Sequence, residues 1–366
     1  CSYGFLAYIQ SRSSLCATVE RAIAMRNLQN SPVLRGLAVF VLAIGLLAQT
    51  GASAQTKLKV AYIPIMPMAQ LFVMEGEGWT KEAGLELELT KFSSGPAIVQ
   101  AIASGDFDVM YFGIGPAMVS RARGVPLKVV ASAGIEQIAV ITRGDFGATM
   151  AAAATPAEGV RKFTADTGRK PRIASLPKGS VPDTVLRHWL IKVAGLTEDD
   201  VEIVGMGAGK VQQAMLAKSV DAASILEPIL TIISEKLPDA RIAVTGGEML
   251  PKQPGAVLAV RENIIASDRD AVAKLVDLHV RATKLINEDP DRAAKHIHAA
   301  LGQGLIPPAV IQRALRSASN NFVADPNAII AATKVMHDFS AEIGTLKKPV
   351  PLDELFDVTF YKQVAE

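Results

Sequence analysis

The chain has two cysteines, Cys1 and Cys16, and both lie upstream of Gln55. The absence of a thiol beyond that point excludes a disulfide framework, a cysteine nucleophile and a thiolate metal site. Histidine is scarce as well. The five are His188, His279, His296, His298 and His337; His296 and His298 stand two apart on a helical segment, hence on opposite faces, whereas helical metal pairs stand three or four apart. No metal and no cofactor is expected. No serine sits in a Gly-x-Ser-x-Gly elbow, and Gly205-x-Gly207-x-Gly209 has its third glycine one place early for a dinucleotide loop, so it reads as a tight turn. Basic excess is also missing. The first 54 residues carry four arginines and one glutamate, so the formal +2 of the whole chain becomes −1 without them, and no nucleic-acid footprint remains.

A membrane-spanning run is lacking too. The apolar stretch Gly36 to Ala48 has thirteen residues where a spanning helix needs about 20, and Gln49, Thr50 and Gln55 end it. Arg26 and Arg35 precede it and Ala52-Ser53-Ala54 closes it: basic start, apolar middle, small-residue cleavage site. This order predicts a signal peptide over 25–54, cleaved after Ala54, with Met25 as the start and 1–24 as an upstream extension. Cys16 follows Ser13-Ser14-Leu15, which is not a lipidation context. The expected product is periplasmic, with no stable membrane insertion, and its 312 residues suffice for two domains with buried cores.

What is present is a recurring strand–loop–helix grammar. Lys57 to Ile63 reads as a strand, Pro64 to Met68 as a loop, and a helix starts near Gln70. The pattern continues with strands at 85–92, 108–112 and 127–132 and helices at 97–104 and up to Ala122. It then repeats from about 139 to 250, with strands at 172–176, 201–204 and 221–226 and helices at 182–194 and 210–217. This alternation predicts an α/β fold with parallel, doubly wound sheets. Between the two runs, 146–168 is alanine-rich and weakly patterned and reads as a surface loop with a helix. From Asn263 the chain reads as helical, with helices at 271–286, 291–300, 307–317 and 326–343. Gln100-Ala101 with Asp108 is echoed 113 positions later by Gln213-Ala214 with Asp221, an echo of three identical residues that any βα unit could also produce.

In open α/β sheets, ligands bind at the C-terminal ends of strands, against helix N-termini. Ser93, Ser94 and Gly95 mark one such end, Gly113 and Gly115 another, and Lys178, Gly179 and Ser180 a third, while Ser132 ends a further strand. Small anions suit such ends. Asp183 falls in the first turn after Ser180, as a helix-end carboxylate or as a ligand contact that would repel an anion. Met66, Met68 and Met206 lie in the same class of loops, where a thioether fills core or adapts to an apolar ligand. Glu227, before Pro228, would accept from a ligand amine or hydroxyl, or pair with a surface lysine.

The ordered set of a leader, an Ile-Pro loop, Gly95-Pro96, Gly105-Asp106-Phe107-Asp108, Gly124-Val125-Pro126-Leu127, Lys178-Gly179-Ser180 and Glu227-Pro228 resembles the periplasmic substrate-binding proteins of ABC importers for nitrate, taurine, aliphatic sulfonates and thiamine-type pyrimidines. The resemblance spans about Lys57 to Arg261. It implies two Rossmann-like lobes of the type II-like binding-protein arrangement, 55–139 with 255–366 and 140–254, joined by crossings near Val140 and Gly255 and closing by hinge motion on a small-molecule ligand. It also implies delivery to a membrane permease with its ATPase, a monomer, and no chemistry. Enzymes on similar folds, a pyrimidine synthase and a sulfinate-releasing hydrolase, depend as families on cysteines that this chain lacks after Gln55. An exported solute sensor, or a binder of a pyrimidine or thiamine precursor, is the alternative on the same fold.

Overall fold

The computed structural model describes residues 55–302 and 304–365. The segment expected as a signal peptide, with its expected cleavage site, and Cys1 and Cys16 lie outside them. No helix among the described residues is long and apolar enough to cross a membrane.

The first half of the chain contributes β1 (Thr56–Tyr62), α1 (Ala69–Gly76), β2 (Leu85–Lys91), α2 (Gly95–Ala101), β3 (Val109–Gly113), α3 (Ile114–Ala122) and β4 (Leu127–Ser132). A second run follows with β5 (Ala139–Thr142), α4 (Gly144–Ala152), α5 (Pro156–Thr167), β6 (Arg172–Ser175), α6 (Val181–His188), β7 (Glu202–Gly205), α7 (Ala208–Leu216), β8 (Ala222–Ile225), α8 (Ile229–Lys236) and β9 (Arg241–Val244). The chain then returns through β10 (Ala256–Arg261) to α9 (Arg269–Glu288), α10 (Pro290–Leu301), α11 (Pro308–Leu315), α12 (Asn327–Glu342) and α13 (Thr359–Ala365).

These strands form two sheets of the same design, ordered β2-β1-β3-β10-β4 and β7-β6-β8-β5-β9. In each, the first three strands run parallel, but β10 lies antiparallel between β3 and β4, and β5 antiparallel between β8 and β9. The parallel-rich α/β reading holds, and the antiparallel strands have one cause: each sheet takes one strand from the segment that crosses to it, and a crossing strand arrives from the opposite end. β10 is buried at every position, so its Ala-Val-Leu-Ala-Val run has no alternation that marks a strand.

The helix starts show why these segments fold locally. Ser94, Thr155, Ser180 and Asp289 each accept from the backbone N–H three residues on, at 3.1–3.4 Å, and a proline follows within the first turn. The 146–168 segment, expected as a loop with one helix, is two helices. Phe146 and Phe163 meet edge-to-face between α4 and α5, 5.2 Å between centroids, and Gly159 lies where a Cβ would overlap Met150 Sδ at 2.8 Å. The apolar face consists of a few large residues among alanines and glycines, and the periodicity is correspondingly faint.

The Gln-Ala/Asp echo is structural. Asp108 and Asp221 both stand just before the third strand of their sheet, where each side chain accepts from the first strand's backbone, from Lys59 N and Arg172 N, at 2.8 Å. Each returns its own N–H to the same residue's carbonyl at 2.9 Å and accepts from the crossing strand's arginine, Arg261 N at 2.9 Å or Arg143 N at 3.0 Å. The two lobes are copies of one βα design.

Candidate functional site

Three βα loops of each sheet face their counterparts across a cleft, and they meet with twofold logic. The loop after β1 touches the loop after β8, where Met66 N donates to Glu227 O at 3.2 Å. The loops after the second strands meet where a Cβ on Gly207 would lie 3.4 Å from Ser93 Cβ. The loop after β3 meets the loop after β6, with a Gly113 Cβ falling 2.6 Å from Val181 Cγ2 and a Gly115 Cβ 3.2 Å from Gly179 O. Glycine at these places lets the lobes close fully.

Beneath these contacts lies a narrow cavity of about 30 Å³. Ile63, Ile65, Pro67, Met68, Gly95 and Gly113 line it from one lobe and Leu176, Ser180, Val181, Pro182 and Leu226 from the other. Its floor is the pair of crossings, Gln137-Ile138 and Gly255-Ala256. These crossings are stitched together by Ala133 N to Ala256 O (2.9 Å), Gly255 N to Gly134 O (3.2 Å) and Glu136 N to Gln253 O (2.8 Å). The Gln253 side chain accepts from Ile138 N at 3.1 Å. Glu136 and Lys252 both adopt positive φ, 55° and 54°, facing each other at this junction, where Lys252 N donates to the Glu136 carboxylate at 2.7 Å.

The electrostatics of the cavity are unusual in what they already satisfy. Asp183, 1 % exposed, accepts from Gly179 N at 3.1 Å and pairs with Arg187 at 2.9 Å, and Arg187 also pairs with Glu198. Burial pushes the Asp183 carboxyl up, and Arg187 with Gly179 N pulls it back. Glu227, 2 % exposed, is likewise pushed up by burial and held by Thr231 N, at 3.0 Å, and by the Ser317 hydroxyl. Both carboxylates are occupied within the protein. Gln137 is different: it is fully buried, and neither its Nε2 nor its Oε1 has a hydrogen-bond partner among the described residues.

Of the residues read from sequence, Met68, Gly95, Gly113 and Ser180 line this cavity. Ser93 and Met206 line a neighbouring open part of the cleft, together with Gly207 and Lys210. Lys178 and Gly179 border its outer mouth with Arg123, and Gly115 packs against Gly179 there. Ser94 is spent on capping α2, Asp183 and Glu227 on the pairings above, and Met66 is core, fully buried. Ser132 is not brought to the cleft. Its carbonyl accepts from His279 Nε2 at 2.7 Å behind the sheet, in a buried chain with the Tyr111 hydroxyl. The predicted helix over 182–194 is α6 from Val181, with its last turn wound as a π-helix over Trp189–Val193. Sequence reasoning missed Gln137, Leu226 and the aliphatic walls. The only signal that pointed at Gln137 was the position of the first crossing, near Val140.

Residues 51–301 match the model of the NMT1-like family. A putative aliphatic sulfonates-binding protein of Bacillus subtilis is 26 % identical over 343 residues, covering 91 % of this chain and 97 % of that protein. A putative binding protein of Brucella abortus is 24 % identical over 255 residues, 69 % of this chain and 74 % of its own length. Among solved structures, the periplasmic nitrate-binding protein NrtA of Synechocystis superposes with a TM-score of 0.73 at 13 % identity, covering 85 % of this chain and 88 % of that one. The alkanesulfonate-binding protein SsuA of Xanthomonas axonopodis bound to MOPS gives 0.67 at 19 % identity, covering 83 % and 99 %. The shared architecture is that of two-lobed α/β binding proteins. The family model covers more than two thirds of the sequence, and the chain belongs to the NMT1-like family.

Proposed function

We propose that this protein is the solute-binding component of an ABC importer. It captures a small organic solute between its lobes and hands it to a membrane permease driven by an ATPase, without making or breaking a bond. The observation that carries the reading is the cavity itself: walled by loops of two copies of one βα design and floored by two chain crossings. The names of the relatives, aliphatic sulfonates-binding and nitrate-binding, point the same way. The proposal includes export to the periplasm as a monomer, with the signal peptide removed after Ala54; N-terminal sequencing of secreted protein tests that boundary.

Two lobes joined at a stitched hinge are expected to open and close as rigid bodies. Thermal-shift screening against sulfonates, carboxylates, amides, nitrate, amines and pyrimidines identifies a ligand, since saturation at a hundred times Kd adds about 2.7 kcal/mol. Small-angle scattering with and without that ligand then reports closure. A ligand that saturates the protein and leaves the radius of gyration unchanged overturns the closing mechanism. If no compound class raises the melting temperature, the binding reading itself falls.

A further inference from the structure

The ligand class follows from one side chain. Gln137 sits on the cavity floor, 0 % exposed, with its amide pressed between the two crossings: a Cβ on Gly134 would fall 2.6 Å from its Nε2, and one on Gly255 2.7 Å from its Oε1. Two glycines thus clear the space that the amide occupies. Both of its polar atoms lack a partner among the described residues, and a buried amide left unpaired costs free energy that a native site recovers from an ordered water or a ligand. Exchanging the oxygen and nitrogen assignments changes nothing, because either way the floor residue carries one unpaired donor group and one unpaired acceptor.

The rest of the lining sharpens the inference. Ser180 is the one other residue there with a polar side chain, and its oxygen already accepts from Asp183 N. No Lys, Arg, Asp or Glu lines the cavity. The positive end of α6, an eight-residue helix, is complemented by Asp183 within its own first turn, and the Glu227 carboxylate lies buried beside Leu226. An anion buried here would find no cation in the lining, since Arg187 is already committed to Asp183 and Glu198, an arrangement that disfavours it.

Resting on the binding-protein reading, we propose that the cavity takes an uncharged ligand carrying adjacent hydrogen-bond donor and acceptor groups, of the amide, lactam or sulfonamide type, on an apolar body. Gln137 reads that edge as an amide pairs with an amide, one N–H in each direction. Aliphatic walls from Ile63, Ile65, Leu176, Val181 and Leu226 hold the body.

Matched pairs test this directly: propionamide against propionate and methanesulfonamide against methanesulfonate, titrated calorimetrically into the full protein. The amide member of each pair is expected to bind at least about tenfold tighter, because the site's amide would otherwise stay half unpaired. Gln137→Leu is expected to abolish that preference, and Gln137→Glu, which keeps the shape and loses the donor, to reduce it; thermal melts of both variants report their folding. Tighter binding of the anions, or an amide preference unchanged in a folded Gln137→Leu protein, overturns the inference and leaves the binding-protein reading in place. Binding by neither member of either pair overturns the ligand class, and the wider ligand screen then decides the binding reading separately.

Discussion

Gly113→Ala adds one methyl group where the lobes touch. The backbone there is extended, φ −77° and ψ 155°, so any L residue fits without strain. The new Cβ, however, would stand 2.6 Å from Val181 Cγ2 in the opposite lobe, against about 3.5–4.0 Å for relaxed carbon contacts. Val181 is 4 % exposed and begins α6, so it has little room to turn, and the lobes must part by about 1 Å. Overpacking of this size costs about 1–3 kcal/mol. Because the clash exists only when the cleft is shut, that cost falls on closure. Apparent affinity should drop by about 5- to 150-fold while the melting temperature of the ligand-free protein stays near the parent's. Titration calorimetry on an identified ligand, with melts of both proteins, measures the two effects. Gly207→Ala is the control, since its Cβ would make an ordinary 3.4 Å contact with Ser93 and its φ of −64° is unstrained. If Gly113→Ala binds as tightly as the parent, the lobes do not close on ligand as they do here, and the reasoning fails.

Three further outcomes follow from the same structure. Ser180→Ala removes a cap worth about 1 kcal/mol and a cavity hydroxyl, so both melting temperature and affinity should fall; Ser94→Ala, whose residue caps α2 outside the cavity lining, should lower the melting temperature alone. His279 is fully buried, and burial pushes its pKa from 6.5 down to about 4, so it is neutral in the fold while the unfolded chain takes up a proton below pH 6.5. Stability is therefore complete above pH 6.5 and should fall by about 3 kcal/mol between pH 6.5 and 4, a slope that denaturant titrations of a His279→Gln variant should lack. Asp221→Asn loses a bidentate pairing with the half-exposed Arg169 and a bond from Arg172 N, and should cost about 1–3 kcal/mol in the same assay, against less for the more exposed Asp108→Asn.

The parallel strands and most helix starts were legible because caps, prolines and glycines punctuate them locally: Ser94-Gly95-Pro96 and Ser180-Val181-Pro182 announce their helices without reference to the rest of the molecule. β9, β10 and α8 were not, for a different reason. β10 is buried on both faces and shows no alternation, and β9 is a four-residue strand whose order in the sheet depends on β5 arriving from the other lobe. The site divided along the same line. Glycines at strand ends were readable as places of close approach, while Asp183 and Glu227 looked free because Arg187, Thr231 and Ser317 are brought to them only by the fold. Gln137 carried no pattern at all, since a residue on a crossing belongs to neither lobe's periodicity.

The internal echo shows what kind of residue a duplicated design keeps. Asp108 and Asp221 survive as a pair because each fastens three strands at the sheet edge away from the cleft, a purely structural task that is the same in both lobes. Most cleft loops share positions without sharing residues: Ile63 to Met68 answers Leu176 to Ser180 and Gly113 answers Leu226, while Gly95 and Gly207 are both glycine. A ligand without twofold symmetry presents a different face to each lobe, so residues that touch it have no reason to match. Glycine stands at Gly113, Gly115 and Gly207, where the lobes touch, and Gln137, the one amide among the described residues with both polar atoms buried and unpaired, lies on the first crossing between Gly134 and Gly255.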